Sequence, residues 1–370
     1  MTWEAMIRSW LAATLRGEMP CFDASELGSV DEVLAAASEH GVTVLLHEQI
    51  KLNQDKTAYP ESLLDRLAEI ELNEIAAELF RLAEARVALA CLKRAEVPVL
   101  VLKGTALAYG LYAKPYHRPR IDVDILLQDA VAAEAAGKAL ETIGYVCQTM
   151  MPKPEKNAIS FEVPYLRTSK HGTGNAMDIH WALANNALYG SRFSNAELLA
   201  DARELPMLGP MAKGLSLIHA MAHACVHRVA HIKYGEGDKL IWLYDMHLLA
   251  ARFTQQDWQA FLVLAEKRQL AGAFYSGLEE TVKVFHTKMP ANVLPELFAL
   301  SKQESFDVGR AASSVYFDWH NLRWMTNGQR WFWFLQTFFP PVEYMMKRDG
   351  LKSRAQLPWA YIKRIIGRLL

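Results

Sequence analysis

Cysteine is scarce in this chain of 370 residues, and its spacing excludes two common uses of thiols. The four cysteines are Cys21, Cys91, Cys147 and Cys225. They lie far apart and form no CxxC pair, which argues against a zinc site and against a disulfide framework. We therefore expect four free thiols in a reducing compartment.

The chain also lacks a charge surplus and a long apolar run. Forty basic residues balance 41 acidic ones, so the net charge of -1 creates no overall field that attracts nucleic acid. We expect no duplex nucleic acid partner. No uncharged apolar run reaches the roughly 18–20 residues that span a bilayer. Glu4, Arg8 and Arg16 interrupt the N-terminal segment, which is atypical of a signal peptide. These absences predict a cytoplasmic protein.

The composition, 51% hydrophobic and 22% charged, is typical of a globular protein of two or three domains. Apolar and alternating runs predict strands over 97–102, 121–127, 145–147, 159–163 and 177–181. Helices are predicted over 105–112 and 130–143, and later over 211–231, 237–251, 255–269, 272–286 and 304–335. The predicted fold is α+β: an N-terminal helical region (1–92), a core with a small mixed sheet (93–190) and a C-terminal helical domain (191–370).

Two aspartates in one predicted strand are the most informative feature. Asp122 and Asp124 are two positions apart, so their side chains share a face of the strand. The side chains predicted to point into the core instead are those of Ile121, Val123 and Ile125. Paired carboxylates repel each other, and a divalent cation that prefers oxygen ligands, such as Mg²⁺, removes the repulsion. Asp178 is the best third ligand, with His180 on its face. The alternative is the solvated face of an edge strand.

Cationic residues and a glycine turn flank these acids. Lys103-Gly104-Thr105 ends a predicted strand and opens a helix, where exposed backbone N–H groups can bind an anion. Arg118 and Arg120 immediately precede the aspartates and are candidates for pairing with phosphate. Strand, glycine turn, helix, acidic strand and a later acidic strand form an order typical of phosphoryl transfer.

The segments LKGTALAYGLY, RPRIDVDILL, TIGYV and MDIHWAL resemble the nucleotidyltransferase superfamily with the polymerase-β-type core. More closely, they resemble a bacterial nucleotidyltransferase-like family of largely uncharacterised members, over residues 60–370. The resemblance implies that Gly104 and Thr105 hold the β- and γ-phosphates. It also implies that Asp122 and Asp124 bridge two Mg²⁺ ions, while Asp178 binds the catalytic ion and orients the acceptor hydroxyl.

The activity implied by this resemblance is transfer of a nucleoside monophosphate (NMP) from an NTP to an unidentified acceptor. Sugar phosphates, peptides, proteins and RNA are candidate acceptors, and Mn²⁺ is a candidate substitute for Mg²⁺. The usual glycine turn of the superfamily is Gly-Gly or Gly-Ser, whereas this chain has Lys103-Gly104-Thr105, and we expect Lys103 to supply the positive charge that the shorter phosphate turn lacks. Two other functions stay open: phosphate transfer from the same site, and a catalytically silent nucleotide-binding or partner-binding module.

Four histidines recur every fourth residue on a predicted helix: His219, His223, His227 and His231. Neighbours in this ladder share a helix face, because four residues advance the helix by about 40° beyond one turn. One interpretation is a polar lock of His227, His231 and Asp245 that faces the nucleotide cleft. The others are direct contact with the nucleotide, for which His180 is also a candidate, and a transition-metal site.

The last 55 residues hold five of the ten tryptophans: Trp319, Trp324, Trp331, Trp333 and Trp359. We expect them to lie in the core rather than to form a platform for stacked bases. Residues 347–370 carry seven basic residues against Asp349, a charge of +6. The tail is either a packed helix with a basic solvated face or an interfacial helix that contacts a membrane surface or an anionic acceptor weakly.

Overall fold

The structure, a computed structural model, describes residues 2–53, 56–148, 160–169, 172–237 and 239–369. The helices before the sheet are α1 (Trp3–Leu15), α2 (Ala24–Leu27), α3 (Val30–Glu39), α4 (Thr43–Leu52) and α5 (Glu61–Arg94). The helices that alternate with strands are α6 (Lys103–Gly110), α7 (Ala130–Glu141), α8 (Ala187–Gly190) and α9 (Asn195–Ala200). Those that follow are α10 (Leu217–Ile232), α11 (Leu240–Ala250), α12 (Gln255–Arg268), α13 (Ala271–Phe285), α14 (Val293–Ser301), α15 (Ser314–Arg323), α16 (Asn327–Phe338), α17 (Val342–Arg348) and α18 (Leu357–Leu369).

The strands join into one mixed sheet in the order β3-β4-β5-β2-β1-β7-β6. Their bounds are β1 (Leu100–Val101), β2 (Asp122–Leu126), β3 (Val146–Cys147), β4 (Glu162–Thr168), β5 (Gly174–His180), β6 (Arg203–Glu204) and β7 (Lys213–Gly214). Strand β2 runs parallel to β5, and β1 runs parallel to β7, while the other neighbours are antiparallel. This mixed sheet among helices confirms the predicted α+β class.

The sheet extends further along the chain than the sequence predicts. Strand β7 pairs with β1, so the helix predicted from residue 211 begins only at Leu217. The strand predicted over 159–163 is Glu162–Thr168, and Ile159 lies outside the described residues. The division into 1–92, 93–190 and 191–370 stays a prediction, although β6 and β7 take the sheet past residue 190.

One face of the central strands is packed and dry. Val123 and Ile125 of β2 lie in a buried cluster with Met177 and Ile179 of β5. The prediction that Ile121 points into the same core is wrong, because Ile121 precedes the strand and is 89% exposed. Side chains alternate between the two faces only within a strand, and Ile121 lies before its first residue.

Two large buried clusters are connected by the 34-residue helix α5. Its N-terminal half contributes Leu63 and Leu67 to the cluster built by the helices before and after the sheet. Its C-terminal half contributes Leu89 and Leu92 to the cluster under the sheet. Since a helix rises about 1.5 Å per residue, α5 runs about 50 Å and ties the helical region to the sheet.

The expectation that the C-terminal tryptophans form core is wrong for most of them. Trp319, Trp331 and Trp359 are exposed, and Trp324 is partly exposed, with the Arg192 guanidinium 3.7 Å from its ring centroid. A smaller buried cluster here consists of Met345, Leu357 and Ala360. Within the described residues, every helix is too short or too polar to cross a bilayer.

Candidate active site

The three predicted carboxylates meet on one face of the sheet. The parallel register of β2 and β5 places Asp124 directly beside Asp178. Because side chains alternate along a strand, Asp122 and His180 share this face with them. Asp124 and His180 are buried, whereas Asp122 and Asp178 are partly exposed. Strand pairing therefore brings together acids that are 54 positions apart in the sequence.

Asp124 lies at the centre of a chain of polar contacts. The ammonium of Lys103 donates to Asp124 Oδ1 over 2.7 Å, and His180 Nε2 lies 2.8 Å from the same oxygen. On its other side, His180 Nδ1 lies 3.4 Å from Glu162 Oε2. The sequence analysis missed Glu162, although its pairing position opposite His180 on the antiparallel strand β4 explains the contact.

The pKa values of the three acids differ because their surroundings differ. Burial, followed by the charges of Asp124 and Asp178, raises the pKa of Asp122 to about 6. Burial and the Asp124 charge also raise the pKa of Asp178. Burial acts to raise the pKa of Asp124 as well, but Lys103 and His180 outweigh it and hold that pKa well below its usual value. A positive charge placed near Asp122 and Asp178 would therefore stabilise their ionised forms.

The donor set fits a small divalent cation. Ligand atoms of Asp124, Asp178 and His180 all lie within 4.8 Å of one another. Carboxylate oxygens are the ligands that Mg²⁺ and Mn²⁺ prefer, and the raised pKa values of Asp122 and Asp178 indicate repulsion that a cation relieves. His180 already contacts Asp124, which suits it to orient that carboxylate.

The start of α6 lies beside the carboxylates, as the glycine turn predicts. Lys103 is the first residue of this helix and adopts φ +46°, a left-handed conformation that costs a lysine about 1 kcal/mol. Its side chain makes the ion pair with Asp124 described above. Strained backbone that surrounding contacts maintain is typical of functional sites.

The side chain of Thr105 contacts the backbone of β2. Thr105 is buried, and its hydroxyl donates to the Asp122 carbonyl over 3.3 Å. Its side chain therefore supports β2, and its predicted contact with a phosphate stays a prediction. Gly104, by contrast, lies on the wall of the cavity described below.

Arg118 and Arg120 both pair with buried carboxylates. Arg118 makes a bidentate contact with Asp245, with distances of 2.9 and 3.0 Å. Arg120 donates twice to Glu78, each time over 2.8 Å. Both guanidinium groups are thus neutralised by partners that sequence reasoning did not find, and their predicted phosphate contacts stay predictions.

The polar lock predicted for the histidine ladder does not form as expected. Asp245 accepts hydrogen bonds from Arg118 and Tyr112, while His231 Nδ1 lies 2.8 Å from Glu236 Oε2. His227 packs its ring against Trp242, with centroids 4.7 Å apart. Among the described residues, neither group with metal-ligand spacing includes a ladder histidine, which leaves the transition-metal interpretation without support.

An open cavity of about 880 Å³ covers the polar face. Of the predicted site residues, its walls contain Lys103, Gly104, Arg118, Arg120, Asp122, Asp124, Asp178, His180, His227 and His231. Thr105 is absent from the walls, as its burial requires. The cavity is large enough for a nucleotide, because ligand pockets typically measure roughly 300–1,000 Å³.

Residues 28–286, more than half of the chain, match a family described as an uncharacterised nucleotidyltransferase. The chain belongs to this family. The match confirms the resemblance inferred from the glycine turn and the acidic strands, and it contains every residue of the carboxylate face. A search of curated proteins finds no match. The family match ends before residue 287, so the tryptophan-rich C-terminal segment lies outside it.

This nucleotidyltransferase family member holds a second group with metal-ligand spacing, formed by Glu48, Glu71 and His117. Here two lysines neutralise the acids. Lys51 Nζ lies 2.8 Å from Glu71 Oε2 and 3.0 Å from Glu48 Oε2, and Lys114 Nζ lies 3.1 Å from Glu48 Oε1. We interpret this group as an ion-pair network between α4, α5 and the loop before β2.

Acid sensitivity is expected to depend on His223, which lines the cavity. Burial, assisted by the Lys103 charge, lowers the pKa of His223 from 6.5 to about 3. Between those values the unfolded chain takes up a proton that the folded protein refuses, so stability falls as the pH falls. We expect His223→Gln to reduce the slope of unfolding free energy against pH by up to about 1.4 kcal/mol per pH unit.

Urea unfolding at a series of pH values between 7.5 and 4.5 measures this slope. At pH 7.5 His223 is neutral in both the folded and the unfolded state. The unfolding free energies of the variant and the wild type should therefore differ there only by the direct effect of the substitution on packing. Parallel curves over the whole series would show that His223 takes up its proton equally in both states.

Proposed function

We propose that the protein transfers NMP from an NTP to a hydroxyl or phosphate acceptor in a Mg²⁺-dependent reaction. The observation that carries this proposal is the convergence of Asp122, Asp124 and Asp178 beside the start of α6, under an open cavity. Family membership supports nucleotidyl transfer in general terms. A sugar phosphate, a peptide or a protein is the proposed class of acceptor.

Asp122, Asp124 and Asp178 are the residues that would hold one or two Mg²⁺ ions, or Mn²⁺ in their place. Bound cations of this kind lower the pKa of an acceptor hydroxyl and neutralise charge on the phosphates of an NTP. A cation would relieve the repulsion that raises the pKa values of Asp122 and Asp178. Asp124 already accepts from Lys103 and His180. His180 and Glu162 act as positioning residues that fix the orientation of Asp124.

Phosphate recognition is assigned to the start of α6. The first N–H groups of a helix lack partners within the helix, and its dipole favours an anion there. Gly104 carries no side chain that would cover these groups. Lys103 lies on the cavity wall, and its flexible side chain can donate to a phosphate oxygen instead of Asp124.

The far wall of the cavity is suited to the rest of the nucleotide. His227 and His231 line it together with Trp242, and their rings pack closely against one another. Aromatic faces of this kind stack on nucleobases whatever the base. We therefore place the base or sugar near these histidines and leave the triphosphate to the start of α6.

Thermal denaturation with NTPs and Mg²⁺ tests the nucleotide site. A ligand at about 100 times its Kd adds about 2.7 kcal/mol of stability, so we expect at least one NTP to raise the Tm of the wild-type protein by several degrees. Asp122→Ala should abolish the part of this shift that requires Mg²⁺. Asp65→Ala removes the same charge from an exposed position of α5 and serves as the matched control.

Product analysis then separates the three possible functions. Release of pyrophosphate with labelled NMP on an acceptor supports nucleotidyl transfer. Transfer of the terminal phosphate would indicate a phosphotransferase that uses the same carboxylates. Mg²⁺-dependent NTP binding with neither product, across sugar phosphate, peptide and protein acceptors, would favour the silent nucleotide-binding module.

A further inference from the structure

Helix α18 is anchored through one of its faces. Leu357 and Ala360 are buried with Met345 of α17 in the small C-terminal cluster. On the same side, the Tyr361 hydroxyl donates to the Pro340 carbonyl over 2.6 Å, and Arg364 donates to the Thr337 carbonyl over 2.6 Å. The orientation of α18 on α16 and α17 is therefore set by packing and by hydrogen bonds.

The opposite face of α18 is apolar and exposed. Trp359, Ile362 and Ile366 are 70%, 46% and 50% exposed. Their spacing of three and four residues aligns them along one side of the helix. An exposed, aligned stripe of large apolar side chains differs from the scattered apolar residues of an ordinary surface and indicates an interaction site.

Aromatic rings of α16 and of the residue after it lead to Tyr361 on the anchored face of α18 and not to the exposed stripe. Trp331 and Phe334 stack with centroids 5.8 Å apart, and Phe334 lies 6.1 Å from Phe339. Phe339 in turn lies 6.2 Å from Tyr361 of α18. We call the exposed stripe of α18, Trp359, Ile362 and Ile366, the C-terminal apolar surface; each of its members is at least 40% exposed.

The segment that carries this surface is strongly basic. Residues 327–370 contain eight lysines and arginines and two acidic residues, a charge of +6, although the whole chain carries -1. The remaining residues therefore carry -7. Lys347, Lys352 and Arg354 in the residues before α18, and Lys363 within it, are exposed. A segment that combines an exposed apolar helix face with exposed cationic side chains matches the interface of an anionic membrane.

We propose that the C-terminal apolar surface binds the surface of an anionic lipid membrane, with α18 lying in the plane of the interface. Branched aliphatic side chains such as Ile362 and Ile366 suit acyl chains, whereas single-stranded RNA is bound mainly by aromatic stacking. A second copy of the chain would bring together two segments that each carry a charge of +6. The surface lies outside the family match, so this proposal is independent of the nucleotidyltransferase site.

Sedimentation of the full-length protein with lipid vesicles tests the proposal. We expect binding to vesicles of equal parts phosphatidylcholine and phosphatidylglycerol at least about tenfold tighter than to phosphatidylcholine alone. High salt should weaken binding, because it screens the cationic residues. The double variant Ile362→Asp/Ile366→Asp should weaken binding by about tenfold or more, since charged side chains do not enter acyl chains.

The matched control is the double variant Leu72→Asp/Leu79→Asp, which makes the corresponding change at two exposed leucines of α5. It should bind vesicles like the wild type. Tm values equal to that of the wild type would show that neither double variant is misfolded. The proposal is overturned by absence of vesicle binding, by equal binding of the Ile362/Ile366 variant, or by indifference to lipid charge. Dimerisation or single-stranded RNA binding that this variant alone removes, without vesicle binding, would also overturn it.

Discussion

Asp124→Asn is expected to lower the rate of pyrophosphate release from an NTP by at least about 1000-fold, or roughly 4 kcal/mol of transition-state stabilisation. The asparagine keeps the shape of the side chain and can still accept from Lys103 and His180, but it loses the charge that a divalent cation requires. Initial rates at saturating Mg²⁺ and NTP measure the effect. The same substitution should also remove the Mg²⁺-dependent rise in Tm.

Asp65→Asn is the matched control, because it removes an equal charge from an exposed part of α5. It should leave the rate unchanged within about twofold. If Asp124→Asn retained a tenth or more of the wild-type rate, its carboxylate would hold no essential cation, and the proposed mechanism would be wrong.

Asp245→Ala is expected to lower the free energy of unfolding by about 3–5 kcal/mol. Asp245 accepts from Arg118 at two positions and from the Tyr112 hydroxyl over 2.6 Å, all in a buried environment. Its removal leaves the guanidinium of Arg118 desolvated and without its carboxylate. Urea unfolding at pH 7.5 measures the loss.

A second pair provides the comparison for this prediction. Glu134 and Lys138 form an exposed i,i+4 ion pair on α7, and Glu134→Ala should change stability by no more than about 0.5 kcal/mol. The double variant Arg118→Met/Asp245→Leu should recover most of the stability lost in Asp245→Ala, because it leaves no unpaired buried charge. A loss below about 1 kcal/mol in Asp245→Ala would show that Arg118 finds another partner or water.

The same double variant also separates the two roles considered for Arg118. If Arg118 only joins the segment before β2 to α11, the stable double variant should bind NTP as the wild type does. If Arg118 also contacts phosphate, stability should recover while NTP affinity falls. Isothermal titration with Mg²⁺ and NTP distinguishes these results.

Local patterns were sufficient to predict the carboxylate face. Alternation placed Asp122 and Asp124 together on one strand, and Asp178 and His180 on another, because the side-chain period of a strand is two. A glycine next to a strand end indicated a helix that begins near Thr105, and the structure begins α6 two residues earlier, at Lys103. Alternation was not sufficient for Ile121, since burial also requires a neighbouring strand or helix to cover the residue.

Long-range pairing could not be predicted in the same way. The partners of Arg118 and Arg120 are Asp245 and Glu78, which lie 127 and 42 residues away along the chain. Any of the 41 acidic residues could have filled those positions from composition alone. The short strand β7 also escaped prediction, because two residues carry no period and only pairing with β1 defines them.

The sequence by itself determined the α+β class, the family, and which strands carry the acids, because alternation and the short motifs are each read within a few neighbouring residues. Only the tertiary structure decided which charges those acids face. It brought Lys103 and His180 into contact with Asp124 and paired Arg118 and Arg120 with buried carboxylates. It also left the apolar side of α18 exposed. Such outcomes depend on which distant surfaces meet, and that is set by the packing of the whole chain.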